Sequence, residues 1–200
     1  MDPEKIIAAA RKIRAAYERD KHARYGLREP LVLPRVKCRA VGVAPFTWDG
    51  PLIHVEPDED DTVRITIHPY PAESGVCDGC SLAPDLRGCI EAALFHDPWY
   101  AEMDAMAAGT GIPQADIRRL GDAVFGALAR AYGAPGPVAR VYYNAVRWFG
   151  QMFHRARGRL ALAVVIAAAA IVAGCSGGCN SIPDILDGDP PAPVFEETSP

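Results

Sequence analysis

Apolar positions along this chain change period several times, and each change predicts an element. Residues 3–24 place Ile6, Ala10, Ile13 and Tyr17 at helical spacing, with Lys5, Arg11, Lys12, Arg14, Arg19, Lys21 and Arg24 on the other faces. This predicts an amphipathic, basic helix within an N-terminal arm, residues 1–28. Its expected task is to dock a thin apolar stripe on the domain, since Asp2, Glu4, Glu18 and Asp20 dilute the charge that a lipid- or nucleic-acid-binding arm needs. Between residues 31 and 70 the pattern shortens to β-rich pieces cut by Pro34, Pro45, Pro51, Pro57 and Pro69. Residues 52–55 and 62–67 are the strongest strands. The run Pro57, Asp58, Glu59, Asp60, Asp61 between them predicts a hairpin with a solvated acidic turn rather than a cation site.

Three helical patterns follow. Residues 85–97 align Cys89, Ala93 and His96, and Tyr100 would continue that face. Pro98 lacks an N–H and clashes with the preceding turn, so it is expected to kink or end the helix at His96 and Asp97. The second pattern starts after Gly111 with Pro113 in its first turn, carries Ile117, Leu120, Val124, Leu128 and Ala131, and stops at Gly133. The third opens at Pro137 and stacks Val138, Tyr142, Ala145 and Phe149. The implied fold class is α+β: the amphipathic helix, a small antiparallel sheet and a three-helix C-terminal half, with the α+β domain at residues 29–152.

Beyond this domain the polar positions vanish. Residues 160–174 read LALAVVIAAAAIVAG, without a charge. At about 1.5 Å of rise per residue the run spans roughly 22 Å, and the small residues up to Gly178 extend it to a marginal crossing. Hydrophobic on every side and preceded by the basic segment 153–159, it is expected to form a single membrane-spanning helix at 160–178. The positive-inside rule then puts the main domain in the cytoplasm, at a bacterial inner membrane, and the tail outside. That tail, residues 179–200, carries Asp184, Asp187, Asp189, Glu196 and Glu197, no base, and five prolines, so it is expected to be extended or disordered. Val172, Ala173, Gly174 and Cys175 resemble the lipobox of bacterial lipoproteins, which implies lipidation of Cys175; the alternative is coincidence in an alanine-rich run.

Composition narrows the function classes. Over 200 residues, 21 basic and 25 acidic side chains give a net charge of −4, which offers no general nucleic-acid footprint. Six cysteines are too few for a small disulfide scaffold. A glycine-rich phosphate loop, a dinucleotide fingerprint and a serine nucleophile elbow are all missing from the sequence.

The densest polar constellation is Cys77, Asp78, Gly79, Cys80 and Ser81, then Cys89, His96, Asp97 and Tyr100, then Arg118, Asp122 and Phe125. Three readings stay open. In the first, these groups satisfy one another as a buried network, with Arg118 and Asp122 paired one helical turn apart. In the second, His96 activates water while Asp97 and Asp78 hold a divalent cation, with Asp122 a further catalytic candidate. In the third, Cys77, Cys80, Cys89 and His96 bind Zn2+. None of the patterns demands a cofactor.

The ordered blocks Cys77-Asp78-Gly79-x-Ser81, His96-Asp97-x-x-Tyr100, Arg118-to-Asp122-to-Phe125 and Ala145-Val146-Arg147-x-Phe149-Gly150 resemble the phage and bacterial family catalogued as domain of unknown function 1353. The resemblance covers about residues 50–150, and it implies a phage or prophage origin. Cys77 replaces that family's usual threonine, and Pro98 interrupts its helix. The His-Asp helix is also similar to that of secreted phospholipases A2, which implies calcium beside a catalytic histidine, although their disulfide cysteines and full calcium loop are not reproduced. The expected function is that of a membrane-anchored prophage accessory protein, working through protein or membrane contacts in assembly or lysis. Its partners would be the membrane and phage structural or lysis proteins, with no nucleic acid. The alternative is a metal-dependent hydrolase of lipid or cell-envelope substrate using His96 and Asp97.

Overall fold

The computed structural model describes residues 24–78, 86, 88–155, 181–191 and 193–198. In chain order these form strands β1 (Arg24–Leu27), β2 (Leu31–Val36), β3 (Trp48–Asp49), β4 (Ile53–Pro57) and β5 (Val63–Ile67), helices α1 (Cys89–Thr110), α2 (Gln114–Ala131) and α3 (Gly136–Arg155), and strand β6 (Phe195–Thr198). The fold is α+β, as the hydrophobic patterning implies. Strands β2, β5, β4 and β3 make one antiparallel sheet in that order, and β1 pairs with β6 in a second, two-stranded one.

Period-two patterning explains the larger sheet. Leu31, Ile67 and Ile53 lie in register across three strands, as do Leu33, Ile65 and Val55, and all six are buried. Between them Thr66 and His54 face outward. The hairpin between β4 and β5 turns where the acidic run stands, with Asp60 and Asp61 both at left-handed φ (54° and 61°). Its carboxylates meet cations: Asp60 pairs with Arg35 at 3.1 Å and Asp61 with Arg39 at 2.9 Å.

Helix α1 starts at Gly88, whose φ of +84° and closeness to Ala134 admit no side chain; its N–H donates to the Glu91 carboxylate at 2.5 Å. The helix does not stop at Pro98 but continues to Thr110. The proline removes the N–H that would have bonded the Leu94 carbonyl four residues back. The Tyr70 hydroxyl donates to that same carbonyl at 3.1 Å, so the lost bond is replaced from the loop after β5. Helix α2 matches its pattern, with Pro113 just ahead of its first turn. Helix α3 buries Ala139, Tyr143 and Asn144 and leaves Val138, Tyr142 and Ala145 half-buried. Its inward face is thus rotated by one position from the expected stripe, because Gly126 of α2 makes room for the Tyr143 ring.

Both chain ends depart from expectation. Residues 1–23 lie outside the described residues, but the arm is not helical to residue 28, because Arg24–Leu27 is β1. Gly26 favours this: a Cβ there would lie 2.4 Å from the Ala72 nitrogen, so the strand can press against the loop only without one. The acidic tail is folded onto the body. Ile185 is fully buried, Lys37 donates its N–H to the Ile185 carbonyl at 2.8 Å, and β6 pairs along all of β1.

This overturns the expected single-pass arrangement with a cytoplasmic domain and an outside tail. Body and tail are packed together and so share one side of any membrane. Among the described residues no helix is long and apolar enough to cross one. The run 160–178 and Cys175 lie outside the described residues.

Candidate functional site

The sequence constellation converges on the inner face of α1. His96 and Tyr100 stand one turn apart on that helix, and Asp122 faces them from α2. The His96 Nε2 lies 3.3 Å from Asp122 Oδ1, and the Tyr100 hydroxyl donates to the same oxygen at 2.7 Å. On the other ring nitrogen, Nδ1 lies 3.6 Å from Asp97 Oδ1. The imidazole is packed between two rings, Tyr100 at 4.3 Å and Phe125 at 5.0 Å between centroids. His96 is 8% exposed and Asp122 1%, so the cluster is sealed.

Arg118 does not pair directly with Asp122. Its guanidinium hydrogen-bonds Tyr100 and donates to the Arg147 carbonyl at 3.0 Å, so the tyrosine hydroxyl stands between the two charged groups. On the opposite side the network reaches Cys77, held beside β1 by the N–H of Tyr25 donating to its carbonyl at 3.1 Å. The buried thiol lies within hydrogen-bonding reach of both Asp97 and the Tyr70 hydroxyl. Tyr70 and its Leu94 bond were not among the sequence candidates. A proline inside a helix leaves one carbonyl without its N–H, and that is the signal by which such a donor could have been sought.

The electrostatics follow from this geometry. Burial pushes the His96 imidazole down, but the hydrogen bonds and charges of Asp122 and Asp97 outweigh it and raise its pKa to about 9. The ring is therefore a cation at neutral pH, with Asp122 at one nitrogen and Asp97 at the other. Asp97 is itself raised above the usual carboxylate range, first by burial and then by the charge of Asp78, against the pull of His96. Tyr100 and Tyr70 are pushed upward by burial, so both hydroxyls stay protonated donors.

This arrangement limits the chemistry. A general base must be neutral and must present a free nitrogen to water or substrate, whereas both His96 nitrogens face carboxylates. The two carboxylates proposed for a divalent cation are differently placed: Asp78 is exposed, while Asp97 is half-buried and turned toward His96. Of the zinc candidates, Cys77 and Cys89 are buried and Cys80 lies outside the described residues. Among the described residues no group of three His, Cys, Asp or Glu side chains is arranged to hold a metal. Two buried oxygens, Oδ2 of Asp97 and Oδ2 of Asp122, have no hydrogen-bond partner there. No family model matches the chain, and neither a curated protein nor a solved structure gives a match.

Proposed function

We propose that this chain is a non-catalytic accessory domain that acts through protein contacts, with the His96 cluster serving as an internal clasp. The observation that carries this reading is the placement of His96, sealed from solvent and paired at both nitrogens with carboxylates. The cluster joins α1 to α2 through Asp122 and joins α1 to the loops after β5 through Asp97 and Cys77. The motif blocks that resemble the phage family of unknown function are the ground for a phage or prophage origin, and a role in assembly or lysis is part of the proposal.

The unpartnered Oδ2 atoms of Asp97 and Asp122 favour a second reading, a metal-dependent hydrolase of lipid or cell-envelope material. The test is to replace His96 by Gln and to incubate both proteins with phospholipid vesicles and with peptidoglycan in Ca2+ or Zn2+. The expected result is no turnover by either protein and a lower melting temperature for the variant. Turnover by the parent protein that disappears in a folded His96→Gln variant would overturn the clasp and establish the hydrolase.

A further inference from the structure

The tail lies at two places where strands would otherwise end in open backbone. β2 is a terminal strand of the four-stranded sheet. On its outer edge Val36 bridges Leu186, and the Lys37 N–H just past the strand donates to the Ile185 carbonyl at 2.8 Å. In the second sheet the N–H groups of β1 alternate in direction. Those of Tyr25 and Leu27 donate to the Cys77 and Tyr70 carbonyls at 3.1 and 2.9 Å, so they face the loops after β5. The Arg28 N–H points the other way and donates to the Val194 carbonyl at 2.9 Å. Two residues along, the same antiparallel alternation makes Gly26 and Glu196 a bonded pair of the ladder. Without residues 194–198 this side of β1 would present N–H and C=O groups ready to template another strand.

The opposite terminal strand of the larger sheet is protected in another way. β3 is Trp48–Asp49 alone, with Pro45 and Pro51 on either side, and so short an edge between prolines offers little to pair with. The composition of the tail suits a cover rather than a core. It carries Asp184, Asp187, Asp189, Glu196 and Glu197 and no base, so a second segment like it is repelled. Pro183, Pro190, Pro191 and Pro193 have no N–H to offer a further strand. Two side-chain contacts locate the cover: Ile185 is fully buried, and Asp187 lies 3.1 Å from Arg35.

We propose that the tail is an edge guard: seated on its own body, it closes β1 and the end of β2 to strand addition, and lifting it lets the chain associate through those edges. The device accounts for an acidic, Pro-rich segment being ordered at all. Its backbone supplies the bonds that satisfy the edges, while its side chains leave it unattractive to further strands. It is independent of the His96 clasp, since every contact it uses lies in the strands, the loops beside them and the tail.

Glu196→Pro in the full chain removes a ladder donor and sets a ring against β1. Hydrogen exchange at the Arg28 N–H should speed up at least about tenfold, the equivalent of one net hydrogen bond. The amides of Ile65 and Leu120 should stay protected, which marks an intact core. This variant should form oligomers that grow from about 10 μM to about 1 mM by sedimentation and bind thioflavin T, while the parent stays monomeric. An excess of a free peptide of residues 181–198 should suppress the oligomers, and the same peptide carrying Glu196→Pro should not. If Glu196→Pro costs Ile65 its protection, Asp187→Lys takes its place: it sets like charge against Arg35 and is read at the Lys37 N–H. A variant with a deprotected Arg28 or Lys37 N–H and an intact core that remains monomeric throughout overturns the proposal. So do oligomers that the peptide leaves unchanged, and so does protection at both amides that neither substitution alters.

Discussion

The charge state assigned to His96 makes stability depend on pH in a direction that can be worked out beforehand. Its pKa is about 9 in the folded chain against about 6.5 in an unfolded one. A raised pKa means that the folded state holds the proton more tightly. The contribution is therefore fully present below about pH 6.5 and is lost as pH rises through about 9. With about 1.4 kcal/mol per pKa unit, the loss is on the order of 3 kcal/mol. For a domain of this size that lowers the melting temperature by roughly 5–10 °C. Asp97, raised by burial, adds a loss of the same sign that begins above its ordinary carboxylate range as pH rises. The burial-raised Cys38 thiol, pushed up to about 12, adds one above about pH 9. The quantity to measure is thus the difference between the parent chain and His96→Gln in thermal unfolding by circular dichroism, from about pH 6 to about pH 9. The parent should lose its advantage over the variant across this range, and the imidazole should titrate near 9 by NMR. An imidazole titrating near its ordinary value, or an equal slope in the variant, would refute the clasp.

Other expectations rest on individual contacts. Tyr70→Phe strands the Leu94 carbonyl and should cost about 1–3 kcal/mol; in a Pro98→Ala background, where residue 98 regains its N–H, the cost should shrink, giving a coupling in a denaturation double-mutant cycle. Glu102, buried in α1, accepts from the Trp48 indole at 2.7 Å and from the Leu52 N–H at 2.5 Å. Glu102→Ala leaves both donors unpaired and should lower stability by roughly 2–5 kcal/mol, with the loss visible in Trp48 fluorescence. Gly121→Ala would put a Cβ 2.3 Å from the Trp99 ring, which is fully buried and donates to the Ile117 carbonyl at 3.0 Å. It should destabilise by about 1–3 kcal/mol or more, with exposure of Trp99 in the near-ultraviolet spectrum as the check.

Much of the architecture is legible because its causes are local. Val63, Ile65 and Ile67 alternate along one strand, the acidic turn marks the hairpin, and Pro113 and Gly133 bracket α2. Helical spacing likewise brings His96 over Tyr100, and Arg118 over Asp122. What escapes the sequence is whatever depends on a distant partner. Pro98 reads as a breaker because the hydroxyl that compensates for it belongs to Tyr70 in another element. The tail reads as disordered because its composition is acidic and Pro-rich, yet its order comes from backbone bonds to β1 and β2 and, among the described residues, from the buried side chain of Ile185. Arg118 and Asp122 have the spacing of a pair, but Tyr100 comes between them from the facing helix.

A charged cluster in the middle of a core also has to be reconciled with its cost. Desolvating an imidazolium and its carboxylates is unfavourable, and apolar side chains of similar volume often do as well or better for stability. Net stabilisation is therefore a weak reason for such a group to be there, and geometry is a stronger one. Hydrophobic contacts between α1 and α2 are tolerant of small slides, because Ala, Leu and Val surfaces pack in several registers. Asp122 accepting from both His96 and Tyr100 at one oxygen, like the Trp99 indole donating to the Ile117 carbonyl, fits only one. The same register sets where Asp97 meets Cys77, and hence how the loop leading back to β1 lies against the helix. Since β1 is the strand on which the tail pairs, a clasp that fixes α1 also fixes the edge that receives β6.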